Sequence, residues 1–340
     1  MAHLSVRFHY LLSVDCLPPE DAGVARRLFE DVEALPGVDR FGPPVQVKVD
    51  CPAALLTTLR EAERVFQESG RIPLIHLDAH ATGARGIEFQ RPDSAASTWL
   101  PWPVFAAALG QLNRCVSNQL MVVLCACESF LMGREIALRS PAPWSVAVAP
   151  ALAVTVEELE STVRDFYRNL IVEQSFVKAM VALEGVLSMW SSEDFLQEVL
   201  VRRAQLHQGV EGRRYREHQL SRMRSTPLGR EVPVKTLRRR IRNEARLTDR
   251  DIVDRYSVYL CGRPPPFSAA DVHAEARRRP RQPVYRALSF DKESNDQVLL
   301  KPGPSLHDTG ASSLPRVRRR SGRGKPSPAL GREDGEGGCP

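Results

Sequence analysis

Residues 118–130 read NQLMVVLCACESF. Leu120, Met121, Val122, Val123 and Leu124 form a short unbroken apolar run, the pattern of a strand buried on both faces. The run passes straight into Cys125-Ala126-Cys127-Glu128-Ser129, which sets a thiol at a carboxyl end, where open α/β sheets hold their ligands. A second apolar run, residues 72–77, leads into Asp78-Ala79-His80, so a histidine stands in the equivalent place 47 residues before Cys127. Two adjacent parallel strands would bring both side chains to one sheet edge. Cys127 as nucleophile and His80 as acid/base is the central expectation.

The flanking sequence supplies the rest of such a sheet. Val6, Phe8, Tyr10 and Leu12 alternate with Arg7 and His9, the period of a half-buried strand. Pro18-Pro19-Glu20 opens a helix with Val24, Leu28, Val32 and Leu35 on one face, and Pro36-Gly37 closes it. Val45, Val47 and Val49 mark another strand. Pro52 then starts a helix whose apolar face is Leu55, Leu59, Ala62 and Phe66, ending at Gly70. After a turn at residues 81–85, Gly86-Ile87-Glu88-Phe89 reads as half of a small hairpin, and residues 99–103 lead into a helix through Phe105, Leu109 and Leu112. Residues 131–138 read as helical and residues 146–148 as a buried strand. Thr155-Val156-Glu157-Glu158 is a capping box opening a helix with Val156, Leu159, Val163, Phe166 and Leu170 facing inward. Residues 176–190 and 195–204 continue as helices. Strands alternating with helices predict an α/β fold with a mostly parallel sheet covered on both faces.

A chain of 340 residues has room for one substantial α/β domain and something smaller. Seven cysteines, an odd number without framework spacing, suit a reducing cytoplasm better than a disulfide scaffold. No run reaches the length of a membrane-spanning helix, and Arg7 and His9 interrupt the apolar N-terminal stretch that a signal peptide would need. No membrane partner is expected. The net charge of +6 hides a division: residues 1–200 hold 16 Lys+Arg against 25 Asp+Glu, and residues 201–340 hold 31 against 16. The predicted organisation is a globular domain over 1–175, a helical arginine-rich extension over 176–260 and a disordered Pro/Arg-rich tail over 261–340. The basic half is either a solvated extension or a surface for nucleic acid or acidic partners; it has few interleaved aromatics and no recognisable base-reading motif.

Cysteine nucleophiles need a thiolate, or a thiol with a base in reach, and backbone N–H groups for the oxyanion. A cysteine ending a strand, with the chain turning at once, can aim its sulfur and its own N–H at one carbonyl carbon. Taken singly, Cys125 and Cys127 also fit small buried hydrophobes, and His80 a surface loop residue. Cys125 and Cys115 are the competing thiols; in an extended segment Cys125 and Cys127 would share a face. A Cys-x-Cys zinc site lacks a second cysteine pair at ligand spacing, so no metal is expected. Asp78 is a candidate to orient His80, while His76 and Asp78 equally fit ordinary strand-end polar residues.

The stretches PLIHLDAHATGARGIEF and LNRCVSNQLMVVLCACESF together resemble the caspase-like cysteine peptidases, especially bacterial proteins of the CHAT type. The features that carry the resemblance are His80, Gly86-Ile87, Trp102 (or Trp99), Leu112-Asn113 and Ala126-Cys127-Glu128-Ser129. In caspases the histidine also precedes Ala-Cys by about 50 residues. The resemblance spans roughly residues 4–175. It implies a caspase-like three-layer α/β/α sandwich and a cytoplasmic cysteine endopeptidase acting on protein substrates. It further implies a His80/Cys127 dyad, an oxyanion site from the backbone N–H groups of Ala81 and Cys127, and no cofactor. A role in bacterial defence or cell death, under a regulatory or activator protein, is implied by analogy alone. The chain departs from the family at Ala81, where the family carries glycine. That departure keeps a second expectation in play, an inactive caspase-like interaction module, beside a third, a nucleic-acid-binding protein working through the basic half.

Overall fold

The computed structural model describes residues 7–90, 97–245 and 247–279. Its centre is a six-stranded sheet made of β1 (Tyr10–Asp15), β2 (Val45–Lys48), β3 (Pro73–Asp78), β7 (Met121–Cys125), β8 (Val146–Ala149) and β9 (Ser188–Ser191). The strands lie in the order β2-β1-β3-β7-β8-β9. All neighbours are parallel except β8 and β9, which run antiparallel. The protein is therefore mixed α/β with a mostly parallel sheet, as the alternation of apolar runs and amphipathic helices predicts.

Helices cover both faces. On one side α2 (Pro52–Ser69), α3 (Trp102–Cys115) and α6 (Ser192–Leu206) pack Leu55, Leu59, Phe105, Leu109 and Leu196 against Leu12, Ile75, Leu77, Val122 and Leu124. On the other, α1 (Ala22–Glu33), α4 (Val156–Ile171) and α5 (Phe176–Ala182) pack Leu28, Val32, Val163, Phe166 and Ala179 against Leu11, Leu74, Met121 and Val123. Successive residues of a strand thus enter opposite cores, which is why the central strands read as continuous rather than alternating apolar runs. The reading of β1 is corrected too: Val6 lies outside the described residues, Phe8 precedes the strand, and the strand that begins at Tyr10 is not half-buried but buried along its whole length, over YLLSVD.

A second, three-stranded antiparallel sheet hangs from the end of β3. It comprises β4 (His80–Thr82), β5 (Gly86–Phe89) and β6 (Thr98–Leu100). The expected hairpin is present, and Trp99, read as leading into a helix, instead lies in a third strand opposite Glu88. Gly86 has φ +108°, and any Cβ there would strike the carbonyl of Leu100, so only glycine makes this turn.

Three further stretches differ from expectation. Residues 129–135 form a 3-10 turn rather than an α-helix, entered through Glu128 in a left-handed conformation. The helix expected over 176–190 stops at Ala182; Gly185 turns the chain at φ +88°, and the residues after it become β9. Beyond residue 261, expected to be without structure, Ser268 and Asp271 form a capping box that opens α11 (Ala269–Arg278), whose Val272 and Ala276 are buried in the main core. Residues 280–340 of the expected tail lie outside the described residues.

The sheet and the helices after it are locked by two buried asparagines. Asn113 donates to Asn118 Oδ1 and the Ala142 carbonyl, and its own Oδ1 accepts from the N–H of Leu120 at the start of β7. Asn118 donates to Ser192 Oγ on α6, and its carbonyl accepts from the Arg263 guanidinium at 3.1 Å.

Candidate functional site

The parallel register of β3 and β7 sets Asp78 opposite Cys125, and the Ala79 N–H donates to the Cys125 carbonyl at 3.2 Å. His80 and Cys127 each follow that pair by two residues. Both therefore leave the sheet at the same carboxyl edge from neighbouring strands, as the sequence spacing predicts.

His80 begins β4 and is 45% exposed at the side chain. Its Nε2 lies 2.9 Å from Asp21 Oδ2. Asp21 occupies the N-cap position of α1 but makes no side-chain cap to that helix, so its carboxylate is left to hold the imidazole. Asp78, the expected orienting group, does not serve His80: its Oδ2 lies 3.0 Å from His76 Nε2. The physical reason is that β3 ends at Asp78. Asp78 points into the α4-facing core with His76, whereas His80 already belongs to the small outer sheet. The carboxylate that engages His80 is that of Asp21, 59 residues away in sequence, which no local pattern could mark.

Cys127 is partly exposed in the turn after β7. Among the described residues its backbone N–H has no hydrogen-bond partner, nor does that of Glu128. The extended continuation that would have set Cys125 and Cys127 on one face does not occur. The strand ends at Cys125, which is buried, and the left-handed Glu128 at φ +56° turns the chain. Glu128 Oε2 accepts from the Gly83 N–H at 2.7 Å, tying the loop after Cys127 to the turn after His80. A side chain at Gly83 would collide with Leu131, so glycine permits this close approach. Trp102 Nε1 donates to the Thr82 carbonyl at 2.9 Å and anchors the same turn to α3. Ala81 stands opposite Ile87 in the β4–β5 pairing. Among the described residues no hydrogen bond joins His80 to Cys127.

The competing thiols are poorly suited to attack. Burial raises the thiols of Cys16 and Cys125, and burial together with the Glu63 carboxylate pushes Cys115 up to about 11. Burial likewise pushes Cys261 up to about 11. A thiol held in its neutral form is a weak nucleophile at neutral pH.

Beneath the edge lies a second polar group. His76, Asp78 and Cys125 are buried, and His76 lies between Asp78 at Nε2 and Tyr167 Oη at Nδ1, each at 3.0 Å. Burial opposes a charge on His76, but the Asp78 carboxylate, with Tyr167 and Cys125, outweighs it and holds the imidazole well above its ordinary range. A charged ring donates to both neighbours, whereas a neutral ring with its proton on Nε2 donates to Asp78 and accepts from the Tyr167 hydroxyl. One donor atom from each of His76, Asp78 and Cys125 lies within 4.8 Å of the others, the chemistry of a small metal site. A cation there would have to displace the proton shared by His76 and Asp78. The sequence marks these residues only by the alternation of His76 and Asp78; Tyr167, on α4, carries no signal of its role.

No protein-family model matches the chain, and no curated protein matches it either. Among the described residues no helix is long and apolar enough to cross a membrane.

Proposed function

We propose that the protein is a cytoplasmic cysteine endopeptidase of caspase-like, CHAT-type architecture that hydrolyses protein substrates through His80 and Cys127. The observation that carries this reading is the pairing of β3 with β7, which brings both residues to one sheet edge two positions past a shared register pair. Asp21 supports it by engaging Nε2 of His80, which favours the tautomer with its proton on that nitrogen and its lone pair on Nδ1. Nδ1 takes the thiol proton of Cys127, and the sulfur attacks the scissile carbonyl. The uncommitted N–H of Cys127 faces the oxyanion, with Ala81 as a second donor. His80 then protonates the leaving amine, and afterwards activates the water that hydrolyses the thioester. No metal or organic cofactor takes part in these steps. A role in bacterial defence or cell death follows only from analogy with the family.

The test compares wild type, Cys127→Ala, Cys125→Ala and His80→Ala proteins on a diverse peptide library, with cleaved bonds read by mass spectrometry. Cleavage should survive in Cys125→Ala and fall by about a thousandfold or more in the other two. Loss in Cys125→Ala alone would sink the assignment of the nucleophile. A second reading, an inactive interaction module, is favoured by the absence of a His80–Cys127 hydrogen bond. It predicts that an electrophilic probe labels Cys127 no faster than Cys51, and faster labelling of Cys127 would exclude it.

A further inference from the structure

Between α6 and α10 (Asp249–Tyr256) the chain inserts residues 209–245, folded as α7 (Gly209–Ser225), α8 (Pro227–Glu231) and α9 (Val234–Ala245). Leu220 on α7 and Leu237 and Ile241 on α9 form a small core of their own, separate from the cores that flank the sheet. The insertion holds 11 Lys+Arg and 4 Asp+Glu. Leu237 and Ile241 point inward, so α9 leaves Lys235, Arg238, Arg239, Arg240 and Arg242 exposed. Arg238 pairs with Glu217 at 3.2 Å. Among the described residues no carboxylate pairs with Arg222, Arg224, Arg230, Lys235 or Arg239.

Thr236, Arg239, Arg240 and Asn243 repeat at the spacing of one helical face and form one wall of an open cleft of about 530 Å³. Thr248, Asp251 and Arg255, on and just before α10, form the other wall. The only carboxylate in this lining, Asp251, is engaged by the cap of α10 through Thr248 and by Arg255 at 3.3 Å. The cleft is therefore lined by three guanidinium groups, of which Arg255 already pairs with Asp251, by the Thr236 hydroxyl and by the Asn243 amide, while the Thr248 hydroxyl is engaged in the cap of α10.

We propose that this cleft and the exposed basic face of α9 bind the sugar–phosphate backbone of duplex nucleic acid without reading its sequence. Planar guanidinium forks match phosphate oxygens in pairs, and hydroxyl and amide side chains are common secondary phosphate donors. The cleft lining has no apolar anchor of the kind a peptide partner needs. Among its described side chains α9 exposes no large apolar group beside its arginines to enter a lipid surface. Tyr215 is the single aromatic residue of the insertion, and its ring packs edge-on against His207 at 5.1 Å, so there is no stacking platform for unpaired bases.

The test uses the full chain and a short fluorescent DNA duplex, followed by anisotropy over a salt series. Wild type should bind with an affinity that falls linearly, on logarithmic axes, with salt. The doubly substituted Arg239→Gln, Arg255→Gln protein should bind about tenfold more weakly at moderate salt, with a slope smaller by about two. Both side chains are exposed, and an unchanged far-ultraviolet dichroism spectrum would show the variant folded. Arg64→Gln, on the exposed side of α2, should bind as wild type, and so should a chain ending at Arg279. No binding by wild type, equal binding by the double variant, or loss of all affinity on removing residues 280–340 would each overturn the proposal. Binding to anionic phosphatidylserine vesicles in place of the duplex would overturn it too.

Discussion

Two histidine–carboxylate pairs stand near one sheet edge, and they differ in almost everything except chemistry. His76–Asp78 is formed by residues two apart on β3 and is 3% and 4% exposed; His80–Asp21 joins β4 to the start of α1 and is 45% exposed on both sides. The nitrogen–oxygen distances are alike, at 3.0 and 2.9 Å. The buried pair has Tyr167 on its other ring nitrogen, so its proton is held from both sides and cannot be passed on. The exposed pair has, among the described residues, no hydrogen bond at its other ring nitrogen. Bond length says little about what a pair does; solvent and the second partner decide between a buried rivet and a pair open to proton exchange with water.

The comparison breaks most sharply on stability. Asp78→Ala removes one member of a buried ion pair and strands the other, and should cost about 3–5 kcal/mol in urea unfolding followed by dichroism. Asp21→Ala should cost less than about 1 kcal/mol by the same measurement, because both partners are hydrated. Equal losses would show that the two pairs are not distinguished by burial.

The pH dependence sharpens it further. His76 has a folded pKa raised above its unfolded value of about 6.5, so it favours the native state fully below that pH and loses this contribution as pH climbs through the folded pKa. Cys125 and Tyr167 are raised as well, chiefly by burial, and they act in the same direction at still higher pH. Unfolding free energy should therefore fall from neutral pH upward, and His76→Gln should flatten the lower part of that fall. An unchanged profile in His76→Gln would show that the imidazole is neutral in the native state.

The smallest expected effect is on turnover. Asp21→Asn keeps the shape of the cap position but weakens the hold on His80, and cleavage by the proposed dyad should fall by about tenfold in the peptide-library assay, with Asp21→Glu recovering part of the loss.

Much of this was legible in the chain itself. Unbroken runs such as residues 72–77 and 120–124 are too short for a buried helix and read as strands with cores on both sides, and their polar ends point to the edge where His80 and Cys127 leave the sheet. Pro52 and Gly70 bracket α2, and Thr155 and Glu158 open α4, because caps and breakers act within a few residues. β9 was hidden because residues 186–191 carry the spacing of a helix; the sheet edge offered by β8 outweighs that local preference. Val156 fits the apolar stripe of α4 but is 49% exposed, since the first turn of that helix projects past the core. Asp21 and Tyr167 were equally hidden. Their partners lie 59 and 91 residues away, and only the tertiary fold brings them together.

The asparagine clamp bears on how this chain comes off the ribosome. The Asn118 carbonyl, at the threshold of β7, is capped by Arg263, 145 residues downstream, and Asn118 also holds Ser192. Loop closure over such a separation is slow, and it cannot begin until the later segment has been synthesised. The strand that leads to Cys127 is thus fully secured only after Arg263 has been synthesised. A nascent chain stalled before Ser192 would hold the thiol beside a strand whose clamp has not yet been made.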